Sequence, residues 1–205
     1  MSRPDGTPSP LDRLLTGRIP DAVVVDPWDG GGCRTSAYLD PAAVADGLAV
    51  AARAIVVRPG LASQVTAEPE VLVLETDHGP LIIPGGRREP GETLEQTLHR
   101  ELLEEAGWSV TGVRQVGFVH LRRLGPWRDG QPYPYQQFLF AIYAAIADRP
   151  RPDVIVASPT EHFVSAAFLP VAKVRALDLA WPPRLHQRLF LEAAVRALDR
   201  SRHGT

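Results

Sequence analysis

The sequence predicts an α+β protein, an α/β/α sandwich in which a mixed β-sheet lies between helices, and three observations carry that prediction. Short runs of apolar and β-branched residues recur between Gly and Pro punctuation, as strands do. One amphipathic helix with stop and start signals at both ends interrupts those runs after residue 93. A second helical pattern closes the chain from about Pro183. Strands, a helix, more strands and a terminal helix suit a sheet with helices packed on its faces.

Taken in order, residues 1–20 carry four prolines and read as an arm with at most a helical turn at Leu11 to Leu15. Ala22 to Val25 reads as a strand that runs into the turn-rich Pro27-Trp28-Asp29-Gly30-Gly31-Gly32. That glycine run lacks the Gly-Lys-Ser/Thr of a phosphate loop and is taken as a plain loop. Asp40 and Pro41 make an N-cap and N1 pair for a short helix to about Ala45. Residues 1–47 are too few for a core of their own. They are expected to be a partly ordered leader that packs on the main domain or on a second subunit.

The main domain is expected over residues 48–200. Val50 to Val57 is a β-rich run ending at Pro59-Gly60, and Val71 to Glu75 with Leu81 to Ile83 forms a hairpin with Asp77 to Gly79 in its turn. Pro84-Gly85-Gly86 stops that strand and opens a loop whose glycines let the backbone approach a ligand. Arg87 and Arg88 beside it either offer that ligand positive charge or are solvated surface.

Beyond the helix, Gly112 to Leu121 and Gln136 to Ala147 read as long strands. The loop between them, Arg122 to Tyr135, holds Trp127, Tyr133 and Tyr135, which either stack on a base or form a satellite core. Val154 to Ala157 and Phe163 to Leu169 are further strands, and Val171 to Leu177 is a short helix. The last helix, Pro183 to Leu198, has Leu185, Leu189, Ala193, Val195 and Leu198 as its apolar stripe. The residues after it fray, and 201–205 form a flexible tail.

Composition narrows the function classes. The 205 residues are 44% hydrophobic, in the range of globular proteins. Lys plus Arg number 22 against 24 Asp plus Glu, a formal charge of −2, so there is no electrostatic basis for gripping duplex nucleic acid. The single Cys33 excludes an intramolecular disulfide and agrees with a reducing cytoplasm. The polar, Pro-rich start has no apolar signal-peptide region. The longest apolar run, Phe138 to Ala147, is far short of the roughly 20 residues of a spanning helix. A soluble cytoplasmic protein is expected.

Chemistry concentrates in residues 86–108. Thr93 with Gln96 three residues later is a capping box, and Gly107 follows the last periodic residue as a terminating glycine does, so Leu94 to Ala106 is a helix. At 100° per residue from Leu94, Leu98 and Leu102 lie at about 40° and 80°, with Glu101, Glu104 and Glu105 at about −20°, −80° and 20°. The acids border and overlap the leucine stripe, whereas a merely solvated acidic face would lie opposite it. Like charges at these spacings repel and oppose the helix dipole. Arg100, at about −120°, reaches mainly Glu104 and answers only part of that charge. A hard divalent cation, which prefers carboxylate oxygens, is the simplest remaining compensation.

Gly86, Glu92, Arg100, Glu101, Leu102, Glu104, Glu105, Gly107 and Trp108 resemble the signature of the Nudix hydrolases, G-x5-E-x7-R-E-U-x-E-E-x-G-U, where U is a bulky apolar residue. Both spacers have the required length, and Trp108 departs only in being larger than the usual aliphatic residue. The resemblance implies a Nudix sandwich and a metal-dependent pyrophosphohydrolase using Mg2+, with Mn2+ as an alternative. Its substrate would be a nucleoside diphosphate linked to another moiety: a nucleotide sugar, a dinucleotide or a nucleoside triphosphate.

Carried over by motif position, Glu104 and Glu105 are metal ligands. Glu101 is a further ligand or the base that deprotonates water, and Arg100 orients it. Gly86 gives its backbone to metal or phosphate, and Glu92 is a secondary ligand or loop brace. Glu104, with Glu101 and Arg100, belongs to the catalytic set. A fourth acid from a later loop is often recruited in the family, and Glu161 is the candidate by position, against its reading as a solvated turn acid.

His120 and His162 read as structural. A Ser-His-Asp hydrolase lacks its Gly-x-Ser-x-Gly elbow, and no His or Cys pair has zinc spacing. The remaining alternative is a Nudix-fold sensor or scaffold that binds a nucleotide derivative without turnover. A homodimer is a further expectation, from the leader and from related proteins.

Overall fold

Continuous apolar runs fill the central strands of the structure, a computed structural model of the chain that describes residues 9–26, 32–40, 44, 47–59, 68–126, 135–151, 163–179 and 184–203. The elements in chain order are α1 (Pro10–Leu15), β1 (Ala22–Asp26), β2 (Cys33–Tyr38), β3 (Ala49–Arg58), β4 (Glu70–Thr76), β5 (Gly79–Leu81) and β6 (Gly85–Arg87). They continue with α2 (Leu94–Ala106), β7 (Trp108–Arg123), β8 (Gln137–Pro150), β9 (Phe163–Pro170), α3 (Val171–Ala176) and α4 (Arg184–His203).

Among the described residues the strands join in one sheet of order β1-β2-β7-β8-β3-β4-β5, with β6 on β3 and β9 on β4. Among the described strands only β3 and β8 run parallel, from Ala49↔Leu139 to Val57↔Ile146, so the sheet is mixed. β3 is buried along nearly its whole length, as a central strand covered on both faces must be.

Strand alternation shows which helix covers which face. Val57 and its partner Ile146 share a cavity with Val195 and Leu198 of α4, so the odd-numbered residues of β3 face α4. Gly117, opposite Ile142, has the Phe190 ring of α4 against it. Gly86, opposite Ala52, lies against Glu101 of α2, so the even-numbered residues face α2. The sheet thus lies between α2 and α4, the sandwich the sequence predicts.

Several expectations need correction. Cys33–Tyr38 forms a strand that a polar run of Arg, Thr and Ser concealed, pairing with β7 from Cys33↔Arg123 to Tyr38↔Phe118. With it, β1 extends the main sheet through five residue pairs, Ala22↔Ala37 to Asp26↔Cys33. Gly85-Gly86-Arg87 pairs with β3 and does not simply end a strand, and at Gly85 the absence of a Cβ lets the backbone lie close to Ala52 and Arg53. The hairpin pairs Leu74↔Leu81, Glu75↔Pro80 and Thr76↔Gly79, so its second strand starts at Gly79 and leaves only Asp77 and His78 in the turn.

α4 continues to His203, beyond the expected end. Its buried stripe is His186, Gln187, Phe190, Leu191, Ala194 and Leu198, about one residue out of phase with the expected one, and Leu185 is exposed. Gln187 lies in that stripe with a partner, its Oε1 accepting the Ile82 amide at 3.0 Å, beside the larger apolar burial of Phe190 and Leu191. The helix expected to Ala45, the strand at Val154 to Ala157 and most of the aromatic loop, including Trp127 and Tyr133, fall wholly or mainly outside the described residues.

Candidate active site

The α2 helix fixes the site, and its ends are set by sequence chemistry. Thr93 Oγ1 accepts the Gln96 amide at 3.2 Å while Gln96 Oε1 accepts the Thr93 amide at 2.8 Å. At the other end Gly107 adopts the left-handed conformation, φ 66° and ψ 33°, and its N–H donates to the Leu103 carbonyl at 3.0 Å. Leu94, Leu98 and Leu102 are buried, which brings Glu101 onto Gly86 and Glu105 onto Gly85 of β6. No basic residue lies in the last turn to offset the acids.

The three glutamates have different surroundings. Glu105 is buried, and its Oε2 accepts the Gly85 amide at 2.8 Å. Glu101 lies directly on Gly86: a Cβ added there would sit 2.5 Å from the carboxylate carbon and Oε1 and 2.6 Å from Oε2. Only a glycine leaves that space. Glu104 is the most open of the three, with 38% of its side chain exposed against 13% for Glu101.

Arg100 ties the group together more widely than its helical angle suggests. Its Nε and Nη2 donate to the two oxygens of Glu92 at 2.7 and 3.1 Å. Nη1 donates to Glu101 Oε1 at 2.9 Å and to Glu104 Oε2 at 3.1 Å, and Nη2 also reaches the Arg87 carbonyl at 2.9 Å. The guanidinium pulls Glu92 down from about 4.5 to about 2, burial opposing it and the Glu89 amide and Thr97 hydroxyl assisting it. In return Arg100 is held more firmly protonated, first by the Glu92 hydrogen bond. Glu92 therefore sits as a brace between loop and helix, accepting the Glu89 amide at 2.9 Å and the Thr97 hydroxyl at 2.8 Å.

Gly86, Glu92, Arg100, Glu101, Glu104 and Glu105 are thus brought into one cluster. His120 is elsewhere, on β7, with Nε2 3.2 Å from Gln137 Oε1, and burial lowers its pKa. Cys33 is buried in β2. Glu161 and His162 lie outside the described residues. Sequence reasoning missed the amide of Gly85 as the partner of Glu105, the hydroxyl of Thr97 and the carbonyl of Arg87. A Gly-Gly pair and a helical Thr on the glutamate side are the only traces of these in the sequence.

The donor set fits a hard divalent cation by its chemistry: carboxylates at i, i+3 and i+4, one of them against a glycine backbone, all oxygen donors. Among the described residues no three acidic, His or Cys side chains stand close enough together to hold a metal ion between them. Here Glu101 and Glu104 each give an oxygen to Arg100, and Glu105 gives one to Gly85.

The fold is shared with known proteins. Residues 49–190 match the family described as the NUDIX domain. No curated protein sequence matches. Among solved structures, the Bacillus subtilis pyrophosphohydrolase BsRppH superposes with a TM-score of 0.54 at 18% identity, covering 88% of this chain and 97% of that one. The NUDIX domain of Shewanella oneidensis NrtR, solved with ADP ribose, gives 0.50 at 19% identity, covering 74% and 88%. At such identities the two structures show a shared fold. The domain match covers more than half of the 205 residues and spans the whole glutamate cluster, so the chain belongs to the Nudix family.

Proposed function

We propose that the protein is a divalent-metal-dependent hydrolase that cleaves a phosphoanhydride bond in a nucleoside diphosphate linked to another moiety. One observation carries the reading: Glu101 and Glu105 of α2 meet β6, the Glu101 carboxylate in the space a side chain at position 86 would fill and Glu105 on the Gly85 amide, with Glu104 tied to Glu101 through Arg100. Membership of the Nudix family supports it. The pyrophosphohydrolase activity of BsRppH and the ADP ribose held by the NrtR domain support the bond type and the nucleoside diphosphate class.

In this reading Gly86, through its carbonyl, and Glu101, Glu104 and Glu105 hold Mg2+, with Mn2+ as an alternative. When bound, the ion neutralises phosphate oxygens and makes an attacking water acidic enough to react near neutral pH. Arg100 orients Glu101 and Glu104, and one of these two accepts the proton of that water. Glu105, held by the Gly85 amide, fixes the loop against the helix. Residues 48–200 form the hydrolase domain, with β1 and β2 as an extension of its sheet. No described helix is long and apolar enough to cross a membrane, and the lone Cys33 supports a cytoplasmic location.

The test is a panel of nucleoside diphosphate sugars, dinucleoside polyphosphates and nucleoside triphosphates, assayed with Mg2+ and again with excess chelator. Turnover of at least one member that chelator abolishes is expected. Binding without turnover on every member would instead make the protein a nucleotide sensor.

A further inference from the structure

The glutamate cluster is short of positive charge. Ionised, the four carboxylates of Glu92, Glu101, Glu104 and Glu105 stand against the one guanidinium of Arg100, which leaves the group three charges negative. A single divalent cation still leaves it one negative, and a substrate diphosphate brings further negative charge to the same place. Another cation is needed there.

Two basic side chains follow Gly86, and strand alternation separates them. Arg88 continues the pairing of β6, its amide donating to the Val50 carbonyl at 2.9 Å, so it lies on the face of Gly86 while Arg87 lies on the other. Nη1 of Arg88 donates to the Glu92 carbonyl at 3.5 Å, which puts the guanidinium beside the residue that braces Arg100.

What Arg88 lacks is a carboxylate. Arg58 pairs with Glu70 at 2.6 Å, Arg175 with Glu192 at 2.8 Å, and Arg100 with three glutamates. Arg88 borders the same acidic cluster and pairs with none of it among the described residues. A guanidinium has five donors in a planar fork, and apart from the Glu92 contact those of Arg88 are neither satisfied by the described residues nor buried away from solvent. An anion can reach them. A solvated surface arginine also keeps its donors in water, but Arg88 is half-buried, held at its tip by the Glu92 carbonyl and set on the glutamate face.

We propose that Arg88 is a phosphate-binding residue of this site: its open fork holds oxygens of a substrate phosphate that the metal does not take. This rests on the hydrolase reading above for the identity of the ligand. Two parallel N–H donors match two phosphate oxygens, a geometry that the point charge of a lysine does not reproduce.

The experiment uses the full chain as wild type, Arg88→Met, Arg88→Lys and Arg114→Met, the last removing an exposed arginine of β7 as a control for net charge. It measures equilibrium binding of inorganic pyrophosphate and of ADP-ribose with Mg2+, the thermal stabilisation by Mg2+ alone, and kcat/KM on the panel member turned over fastest. Arg88→Met should weaken both ligands and lower kcat/KM by about tenfold or more. Arg88→Lys should recover only part of the loss. Stabilisation by Mg2+ alone should stay near wild type, and the metal-free melting temperature should move by less than about 3 °C. Arg114→Met should match wild type throughout.

Pyrophosphate and ADP-ribose bound by Arg88→Met as tightly as by wild type would overturn the proposal and, with wild-type turnover intact, leave the hydrolase reading standing. Loss of the Mg2+ stabilisation in Arg88→Met would overturn it too, since the residue would then serve the metal through Glu92, as would a large loss of stability or an equal loss of binding in Arg114→Met. If wild type turns nothing over, the hydrolase reading fails, and pyrophosphate binding alone decides the role of Arg88. Weaker binding in Arg88→Met then upholds it, and unchanged binding, or none to wild type, overturns it.

Discussion

Arg100 and Glu92 form a two-bond pair across the turn into α2, Nε to Oε1 at 2.7 Å and Nη2 to Oε2 at 3.1 Å. The pair holds the loop to the helix, and through Nη1 it also sets Glu101 and Glu104.

Stability should therefore respond to acid through Glu92. Its pKa falls from 4.5 to about 2 on folding, so its contribution is complete above about 4.5 and is lost as pH drops toward 2. Glu92→Gln should lose about 1.5–3 kcal/mol at neutral pH, the range of a hydrogen bond to a charged group, and should flatten the unfolding free energy between those pH values. Denaturant titrations from pH 7 to pH 2 measure both effects. An unchanged acid slope in the variant would show that Glu92 is not the coupled group.

Gly86→Ala tests the contact between loop and helix. The added Cβ would overlap the Glu101 carboxylate, so Glu101 must move, and turnover should fall by roughly 100-fold, the scale of a misplaced catalytic group. Far-ultraviolet circular dichroism should match wild type, because the clash is with a side-chain end. Full activity in the variant would mean that the carboxylate does its work from another position.

A second pH effect comes from α4. His186 is fully buried, its ring nitrogens beside the Ala22 backbone without a hydrogen bond of ordinary geometry. Burial lowers its pKa from 6.5 to about 4, the Ala22 backbone opposing this only in part. The unfolded chain takes up this proton first, so stability is full above about 6.5 and declines as pH falls toward 4. His186→Leu should remove that decline while leaving the Glu92 window below it intact. A decline of the same size in the variant would assign it to another group.

Much of this arrangement was legible in the sequence because its signals are local. Thr93, Gln96 and Gly107 mark α2 from its first residue to its last, and the helical angle alone puts Glu101 and Glu105 beside the leucine stripe. β3, β9 and α3 likewise announce themselves through apolar runs and Pro. What could not be read depends on partners distant in the chain. Cys33–Tyr38 is a strand because β7 pairs with it, not because its residues favour one. Gly85-Gly86-Arg87 becomes β6 because β3 lies alongside, and Arg100 meets Glu92 because the loop folds back onto the helix. The buried face of α4 takes in Gln187, whose bond to Ile82 is made across 105 residues.

The most direct test of the account is Glu105→Gln, measured for turnover and for melting temperature with and without Mg2+. Glutamine keeps an oxygen for the Gly85 amide but removes the buried charge, so the fold should survive. The account predicts that wild type hydrolyses a nucleoside diphosphate derivative and is stabilised by Mg2+. In Glu105→Gln turnover should fall by about 100-fold or more and the Mg2+ shift should shrink, at an unchanged metal-free melting temperature. A variant that turns over as fast as wild type with the same Mg2+ shift, or a wild type with no turnover and the same ligand affinity as the variant, would contradict it.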